Sequence, residues 1–204
     1  MSDKDTLSTY RGKRDFARTA EPQGQPGEAG EQPVYVVQIH DATTLHFDFR
    51  LECEGVLKSW SVPKGPSTDP KAKRLAMPTE DHPMEYRHFE GVIPRGEYGA
   101  GPVIVWDQGT YEPLTRDFPR ALAKGHISFR LHDGKLRGEW ALSRFRSGED
   151  GEREAWLLVK KNDRYASPRP GVDPQRVRSA ISSRTLKQVA EHGEERMPEG
   201  DTGT

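Results

Sequence analysis

The sequence predicts a mainly β fold: a compact antiparallel β-barrel or sandwich with one or two short helices and disordered N- and C-terminal tails. Residues 45–53 alternate apolar and polar side chains without interruption, which is typical of a half-buried strand. Further short segments rich in β-branched and aromatic residues follow at the spacing of antiparallel strands. Asp133-Gly134, between two of these segments, is a strong hairpin signal.

The predicted elements can be taken in chain order. The turn at residues 41–44 joins the first two strands. A short helix is expected at 117–124, and an amphipathic helix within 173–192 would use Val177, Ile181, Leu186 and Val189. The last dozen residues look disordered. The predicted strands are 34–40, 45–53, 56–62, 103–106, 109–111, 127–131, 136–142 and 155–160.

Composition sets the domain boundaries. Hydrophobic content is only 32%, and the 204 residues include 20 glycines and 16 prolines, which favours a compact middle with polar ends. We therefore expect a flexible N-terminal arm at 1–32, a barrel domain at 33–165 and a partly disordered C-terminal helix and tail at 166–204. Residues 21–33, rich in Gly, Pro, Gln and Glu, suggest a flexible linker within the arm.

Charge and cysteine content limit the function classes. The formal net charge of −1 argues against non-specific coating of nucleic acid, although it allows a small basic pocket. A single cysteine, Cys53, excludes a disulfide within the chain and fits a reducing compartment. Residues 1–16 contain no apolar run, so neither a signal peptide nor a membrane span is expected there. We expect a cytoplasmic monomer.

The polar face of strand 45–53 carries the chemistry. His46, Asp48 and Arg50 project from it in a row, and His40 ends the preceding strand, so a hairpin brings the two imidazoles together. Two imidazoles and a carboxylate suit Mn²⁺, Fe²⁺ or Zn²⁺, and three protein ligands leave positions open for water or substrate. The alternative is an ordinary solvated strand face. Glu52, last in the row, is expected on the surface.

Two further segments could bind an anion. Pro83 suits the first position of a helical turn that ends at Gly91, which places His82 and Tyr86 on one side as donors, or simply as packing residues. The loop from Lys64 to Arg74 is basic, and it is either a solvated loop or a contact for a phosphate backbone. With the planar charge of Arg50, these residues favour metal-assisted phosphoryl chemistry.

Two other function classes stay open. A His-x-Asp pair with a distant histidine on a β-barrel is also the facial triad of non-haem Fe(II) oxygenases, although the extra histidine here lies upstream and close. The third hypothesis is a non-catalytic module that grips a DNA end, which chelator-sensitive hydrolysis would exclude.

Two long runs carry a family resemblance. VVQIHDATTLHFDFRLECEGVLKSWSVPKGPS and RLAMPTEDHPMEYRHFEGVIPRGEYGAGPVIVWDQGTYEP resemble the phosphoesterase domain of bacterial DNA ligase D, which also occurs as a stand-alone protein. The likeness extends from residue 10 to residue 162. It implies a nuclease of DNA repair by end joining that removes a 3′-terminal ribonucleoside and then the 3′-phosphate, leaving 3′-OH, with Mn²⁺ as the preferred metal.

The resemblance also assigns residues and partners. It implies DNA primer-template ends bearing a 3′-ribonucleotide or a 3′-phosphate as substrate, with DNA ligase, polymerase and end-joining proteins as candidate partners at the nucleoid. No nucleotidyl-transfer lysine motif is present, so strand joining must occur elsewhere. By motif, the metal ligands are His40, His46 and Asp48; the scissile phosphate contacts Arg50, His82 (a candidate general acid or transition-state donor) and Tyr86; and Gln38, Lys64, Arg74, Glu80, Arg14 and Asp15 lie in or beside the site.

Overall fold

The structure is a computed structural model that describes residues 5–24, 30–148, 151–169 and 171–194. Its α-helices are α1 Ser8–Gly12, α2 Phe118–Lys124 and α3 Leu186–Glu194, and a 3₁₀ helix spans Met84–His88. Its strands are β1 Val34–Asp41, β2 Leu45–Cys53, β3 Val56–Val62, β4 Arg74–Pro78, β5 His82–Pro83, β6 Gly91–Ile93, β7 Gly101–Pro113, β8 His126–Leu131, β9 Gly138–Arg146 and β10 Ala155–Lys160.

Eight of these strands close an antiparallel barrel. Their order is β1-β2-β3-β4-β10-β9-β8-β7, and β1 pairs with both β2 and β7, which joins the two ends of the sheet. The short strands β5 and β6 pair with β3 and β7. The predicted mainly β barrel is therefore confirmed, with three short α-helices in the described residues rather than one or two.

The longest strand, β7, replaces two predicted strands. We expected a break between 103–106 and 109–111, because the polar pair Asp107-Gln108 interrupts the apolar pattern. A shift in the β1–β7 register next to Val37 lets the strand continue instead. The buried Asp107 carboxylate accepts hydrogen bonds from Lys135 N at 2.6 Å and Leu136 N at 2.8 Å, so tertiary contacts satisfy it.

The barrel interior follows the predicted alternation. Phe47, Phe49 and Leu51 of β2 point inward and are 3% exposed or less. They pack against residues from the opposite side of the barrel; the ring centroids of Phe49 and Phe129, for example, lie 5.9 Å apart. Burial of these side chains is the main stabilising term of the fold.

The outer face of β1, β2 and β3 is also buried, which the sequence did not predict. A second apolar cluster covers it with residues from α1 and the 3₁₀ helix, among them Tyr10 and Tyr86. The interpretation of Glu52 as a surface residue is wrong: it is 5% exposed, and its carboxylate accepts a hydrogen bond from Val34 N at 3.0 Å. The polar face of β2 is therefore covered by a second layer of side chains outside the barrel.

The N-terminal segment, residues 5–24, packs on the barrel, whereas the sequence suggested a flexible arm and linker. Tyr10 is fully buried and donates a hydrogen bond from Oη to Pro22 O at 2.6 Å. Glu21 is 4% exposed. The composition of this segment indicated disorder because it contains few apolar residues. Those few residues nevertheless pack against strands that are distant in sequence. Residues 25–29, in the rest of the predicted linker, lie outside the described residues.

The C-terminal helix is shorter than predicted. It begins at Leu186 because Thr185 and Gln188 form a capping box, with Gln188 Oε1 accepting from Thr185 N at 3.0 Å and Thr185 Oγ1 accepting from Gln188 N at 3.3 Å. Before it, Ser179 Oγ accepts from Ile181 N and Ser182 N, which favours a turn over a helix. Residues 195–204, most of the predicted disordered end, are not described. No helix in the described ranges is long and apolar enough to cross a membrane.

Candidate active site

The register of the β1–β2 hairpin builds the core of the site. His40 pairs directly with His46, and Gln38 pairs with Asp48, all on the outer face. The two imidazole centroids lie 5.0 Å apart. The short turn and the period of two along each strand therefore bring two histidines and one carboxylate together, as the hairpin prediction requires.

Backbone carbonyl groups fix both imidazole tautomers. His40 Nε2 lies 2.6 Å from Gly99 O, and His46 Nδ1 lies 2.8 Å from Thr44 O. Because a carbonyl oxygen only accepts, each of these nitrogens carries the proton. The lone pairs of His40 Nδ1 and His46 Nε2 are thus left free, and these two atoms are the ones that face Asp48.

Asp48 completes a group that suits a divalent cation. Its Oδ2 lies 3.7 Å from His40 Nδ1, and its Oδ1 lies 3.5 Å from His46 Nε2. One ligand atom from each residue lies within 4.8 Å of the others, so small side-chain movements would let a single ion contact all three. Burial alone would raise the Asp48 pKa, but the positive charge of Arg50 holds it well below its usual range.

Arg50 extends from the same strand face towards the 3₁₀ helix and is only 2% exposed. Its Nε donates to Gln38 Oε1 at 2.8 Å, and its Nη2 lies 3.2 Å from Asp48 Oδ2. The guanidinium carbon is 4.9 Å from the centroid of the Tyr86 ring. Gln38 in turn donates to the backbone oxygens of Tyr86 and Phe89 at 3.0 Å, so it fixes the direction of Arg50.

His82 lies against this guanidinium and is neutral. Burial, and then the positive charges of Arg50 and Arg14, hold the His82 pKa well below its usual range. Nδ1 lies 2.8 Å from Glu80 O, which can only accept, and 3.1 Å from Arg50 Nη1, which can only donate; the shorter contact favours the proton on Nδ1. Its Nε2 accepts from Arg14 Nη2 at 3.4 Å. His82 therefore presents a lone pair to the N-terminal segment.

Tyr86 also faces the N-terminal segment, through its hydroxyl group. This residue is 2% exposed, and its Oη donates to Glu21 Oε1 at 2.9 Å. Burial and the Glu21 charge raise the Tyr86 pKa well above its usual range, so the phenol keeps its proton. His82 and Tyr86 lie 4.7 Å apart between ring centroids, although His82 belongs to β5 and only Tyr86 to the 3₁₀ helix, so the predicted single turn from Pro83 to Gly91 is wrong.

Two carboxylates tie the N-terminal segment to the site. Arg14 Nε lies 2.9 Å from Glu21 Oε1, and Arg14 Nη1 lies 3.1 Å from Glu80 Oε1. Lys13 Nζ lies 2.9 Å from Glu80 Oε2. Sequence reasoning missed Glu21, because it lies in a Pro/Gly/Gln-rich stretch that carries no periodic signal.

A cavity of about 270 Å³ joins these groups. It lies between the candidate metal ligands (His40, His46 and Asp48), Arg50, His82 and the N-terminal segment, so a substrate there would contact all of them. Its walls are formed by Arg14, His40, Ala42, Thr43, His46, Asp48, Arg50, Thr79, Glu80, His82, Tyr86, Ile93, Tyr98 and Gly99.

Four of the sequence-predicted residues do not line this cavity. Gln38 lies behind Arg50 and acts on it by hydrogen bonding. Lys64 is exposed just after β3, and Arg74 is half-buried at the start of β4, in the strand that pairs with β10. Asp15 is exposed, and its carboxylate accepts from Ala17 N at 3.1 Å. Their predicted roles at the substrate stay predictions.

Comparison with known proteins gives close relatives. The multifunctional non-homologous end joining protein LigD of Pseudomonas aeruginosa is 48% identical over 203 residues, which cover 97% of this chain and 24% of that protein. The multifunctional non-homologous end joining DNA repair protein LigD of Mycobacterium tuberculosis is 47% identical over 142 residues, covering 69% of this chain and 18% of that protein. The multifunctional non-homologous end joining protein LigD of Mycolicibacterium smegmatis is 37% identical over 196 residues, which cover 93% of this chain and 25% of that protein.

This chain thus spans a quarter or less of the length of these relatives. The family described as DNA Ligase D 3′-phosphoesterase domain matches residues 38–144. That range contains His40, His46, Asp48, Arg50 and His82. It covers more than half of the chain and most of the barrel, and the chain therefore belongs to the DNA ligase D 3′-phosphoesterase domain family.

Proposed function

We propose that this protein is a metal-dependent DNA 3′-end-healing phosphoesterase. It removes 3′-terminal ribonucleosides as a phosphodiesterase and 3′-phosphates as a phosphomonoesterase, and it leaves 3′-OH ends for repair by end joining. The observation that carries the proposal is the grouping of His40, His46 and Asp48, with their free lone pairs converging, beside the guanidinium of Arg50 in one cavity. Family membership supports the hydrolase class.

His40 Nδ1, His46 Nε2 and an Asp48 carboxylate oxygen would hold the ion. A divalent cation in such a site supplies Lewis-acid polarisation of a phosphate oxygen and a lowered pKa for its bound water. The two nitrogens and one oxygen suit Mn²⁺ and also other divalent transition ions, since imidazole and carboxylate accept several of them. Mn²⁺ is our proposal for the working metal, on the family resemblance.

Arg50 is the proposed phosphate-binding residue. Its Nη2 lies 3.2 Å from Asp48, so a phosphate next to the metal-binding group would also lie next to the guanidinium. Hydrogen bonding from Nε to Gln38 and stacking on Tyr86 hold the guanidinium in place before substrate arrives. Such pre-organised positive charge stabilises the additional negative charge of the transition state.

His82 is the proposed donor to the phosphate. It is neutral in the free protein because burial and two guanidinium groups oppose its protonation. A bound phosphate dianion brings negative charge beside the imidazole and so raises the His82 pKa. Protonated at Nε2, His82 could donate to a phosphate oxygen or to the leaving oxygen. Tyr86, a neutral phenol, adds a second donor of fixed protonation state.

The remaining predicted residues have supporting roles in this proposal. Arg14 and Glu80 position the N-terminal segment against His82, since Arg14 bonds both Glu80 and the imidazole. Lys64, Arg74 and Asp15 would contact the DNA strand outside the cavity. DNA ligase, polymerase and end-joining proteins remain the proposed partners, and the cytoplasmic nucleoid the proposed place of action. We further propose that the protein acts as a monomer.

The test uses a 5′-labelled primer annealed to a template and ending in one ribonucleotide. With Mn²⁺, we expect loss of the ribonucleoside to give a 3′-phosphate and then a 3′-OH, identified by end-group analysis. EDTA and His46→Ala should each abolish both steps. His126→Ala is the matched control, because the His126 side chain is exposed and its ring lies outside the cavity, next to Ser143 Oγ. Full activity in EDTA would refute metal dependence.

The same preparation separates the alternative functions. A non-catalytic DNA-end-binding module would bind the primer-template and leave its 3′-end intact with every divalent ion. A non-haem oxygenase would convert 2-oxoglutarate to succinate when supplied with Fe²⁺ and O₂. We expect neither result, because the cavity supplies a phosphate-binding guanidinium beside the metal-binding group.

A further inference from the structure

Tyr98 is an exposed aromatic side chain at the edge of the cavity. It is 49% exposed, whereas the other tyrosine that lines the cavity, Tyr86, is 2% exposed. Among the described residues, the large exposed hydrophobic side chains are Leu75, Tyr98, Leu114, Phe145, Val172 and Ile181, and of these only Tyr98 lines the cavity. A tyrosine ring half open to solvent at this place has a free surface for a ligand.

Cations of the N-terminal segment flank the ring. Lys13 Nζ lies 4.6 Å from the ring centroid and 3.3 Å from Tyr98 Oη, and the guanidinium carbon of Arg14 lies 5.7 Å from the centroid. Lys13 is itself held by Glu80 at 2.9 Å. An aromatic ring beside positive side chains is the arrangement by which proteins bind single-stranded nucleic acid, with the base on the ring and the backbone on the cations.

The ring is also close to the proposed chemistry. Tyr98 directly precedes Gly99, whose carbonyl oxygen accepts from His40 Nε2 at 2.6 Å. Consecutive Cα atoms are about 3.8 Å apart, so the Tyr98 backbone is fixed by the same contact that orients a proposed metal ligand. A phosphate in the cavity therefore places a flanking nucleoside within reach of the ring.

We infer that Tyr98 is a base-stacking residue, which binds a nucleobase flanking the scissile phosphate. This inference rests on the proposed function and specifies how the substrate is held. Stacking of one base on an aromatic side chain accounts for about a 5-fold to 150-fold difference in affinity on alanine substitution. The contact is sequence-tolerant because every base has a π-face, so any of the four bases would be accepted at that position.

The experiment measures equilibrium binding by fluorescence anisotropy, without added metal, so that it does not depend on hydrolysis. The ligands are a primer-template ending in one ribonucleotide, the same duplex with an abasic terminal ribose, and the same duplex with an abasic penultimate nucleotide. Wild type is compared with Tyr98→Ala, Tyr98→Phe and Lys13→Ala. Circular dichroism and Mn²⁺ titration of each variant check the fold and the metal-binding group.

We expect Tyr98→Ala to weaken binding of the intact duplex by at least about 5-fold, while Tyr98→Phe stays near wild type. On one of the abasic duplexes, wild type and Tyr98→Ala should bind equally, and that duplex identifies which base stacks. Lys13→Ala should weaken all three duplexes alike, because the positive charge that it removes acts on the phosphate backbone, which all three duplexes share.

An equal loss for Tyr98→Ala on all three duplexes, or no loss on any, would overturn the inference. Failure of the proposed function gives a different result. In that case the wild-type protein releases no ribonucleoside in Mn²⁺, while the binding comparison still decides whether Tyr98 stacks on a base.

Discussion

The carbonyl oxygen of Gly99 lies 2.6 Å from His40 Nε2, so a glycine-rich loop holds the proton of a proposed metal ligand on the outer nitrogen. The inner nitrogen of His40 is thereby left with its lone pair facing Asp48 at 3.7 Å. In metal sites, such an outer contact orients the imidazole and increases its basicity.

We predict that Gly99→Ala weakens Mn²⁺ binding by about 10-fold. Gly99 has φ +75°, and an added Cβ would lie 3.2 Å from His40 Cε1, so the loop must shift and the imidazole with it. Gly96→Ala is the matched control: Gly96 has φ +86°, but its added Cβ would have only Arg18 Nη2, at 3.8 Å, as a neighbour. Calorimetric titration of Mn²⁺ should show near wild-type affinity for the control. Equal losses would mean that backbone strain, not the His40 contact, is responsible.

Arg50→Ala should lose hydrolysis and keep metal binding. The guanidinium lies 3.2 Å from Asp48 Oδ2 but is no member of the metal-binding group. Removing its charge should lower kcat by about 100-fold or more, because it is positioned to stabilise the transition state. Steady-state kinetics on the 3′-phosphate duplex and Mn²⁺ titration of the same preparation test both statements. A variant that no longer binds Mn²⁺ would show that Arg50 supports the ligands structurally.

Tyr10→Ala should detach the N-terminal segment and inactivate the protein while the barrel stays folded. The Tyr10 ring is fully buried, 5.1 Å from the His82 ring and 3.9 Å from the Arg14 guanidinium carbon. Loss of a buried aromatic ring costs about 3–5 kcal/mol. We expect this to exceed the free energy that holds so short a segment on the barrel. Limited trypsin digestion should cleave faster at Arg11, Lys13, Arg14 and Arg18.

Tyr10→Phe is the control for this change, because it keeps the ring and loses only the 2.6 Å hydrogen bond to Pro22 O. We expect its digestion rate and activity to stay close to wild type. Retained activity in Tyr10→Ala would show that the docked segment is dispensable for catalysis.

Glu80→Gln should reduce the decrease in the free energy of unfolding that occurs at acidic pH. Burial opposes ionisation of Glu80, yet Lys13, the Glu80 backbone and Arg14 lower its pKa below the usual value of 4.5. A carboxyl group with a lowered pKa in the folded state stabilises that state above its unfolded pKa and loses the contribution as pH falls through its folded pKa. Urea unfolding at a series of pH values from neutral to acidic should thus show a smaller decrease for Glu80→Gln than for wild type. Parallel pH profiles would contradict the assignment.

Local sequence patterns were sufficient for the centre of the site and for seven of the eight barrel strands, with β7 predicted as two strands, but they did not predict β4. Alternation in residues 45–53 predicted both the inward Phe47, Phe49 and Leu51 and the outward His46, Asp48 and Arg50, since side chains in a strand repeat every two residues. The short turn then required His40 to lie opposite His46. His82 and Tyr86 do lie together, but in β5 and the 3₁₀ helix rather than in the one helical turn that their spacing suggested.

The features that local patterns did not predict depend on contacts between residues distant in sequence. The N-terminal segment looked disordered because its composition is polar, yet Tyr10 and Glu21 are buried against residues more than 60 positions away. The strand β7 continues through Asp107 because distant backbone groups satisfy that carboxylate. The sequence by itself determined which residues share a strand face, because periodicity is local. Only the tertiary structure decided that this face is enclosed, that Gly99 orients His40 and that Tyr98 lies at the cavity edge, because these contacts join segments that carry no local signal for one another.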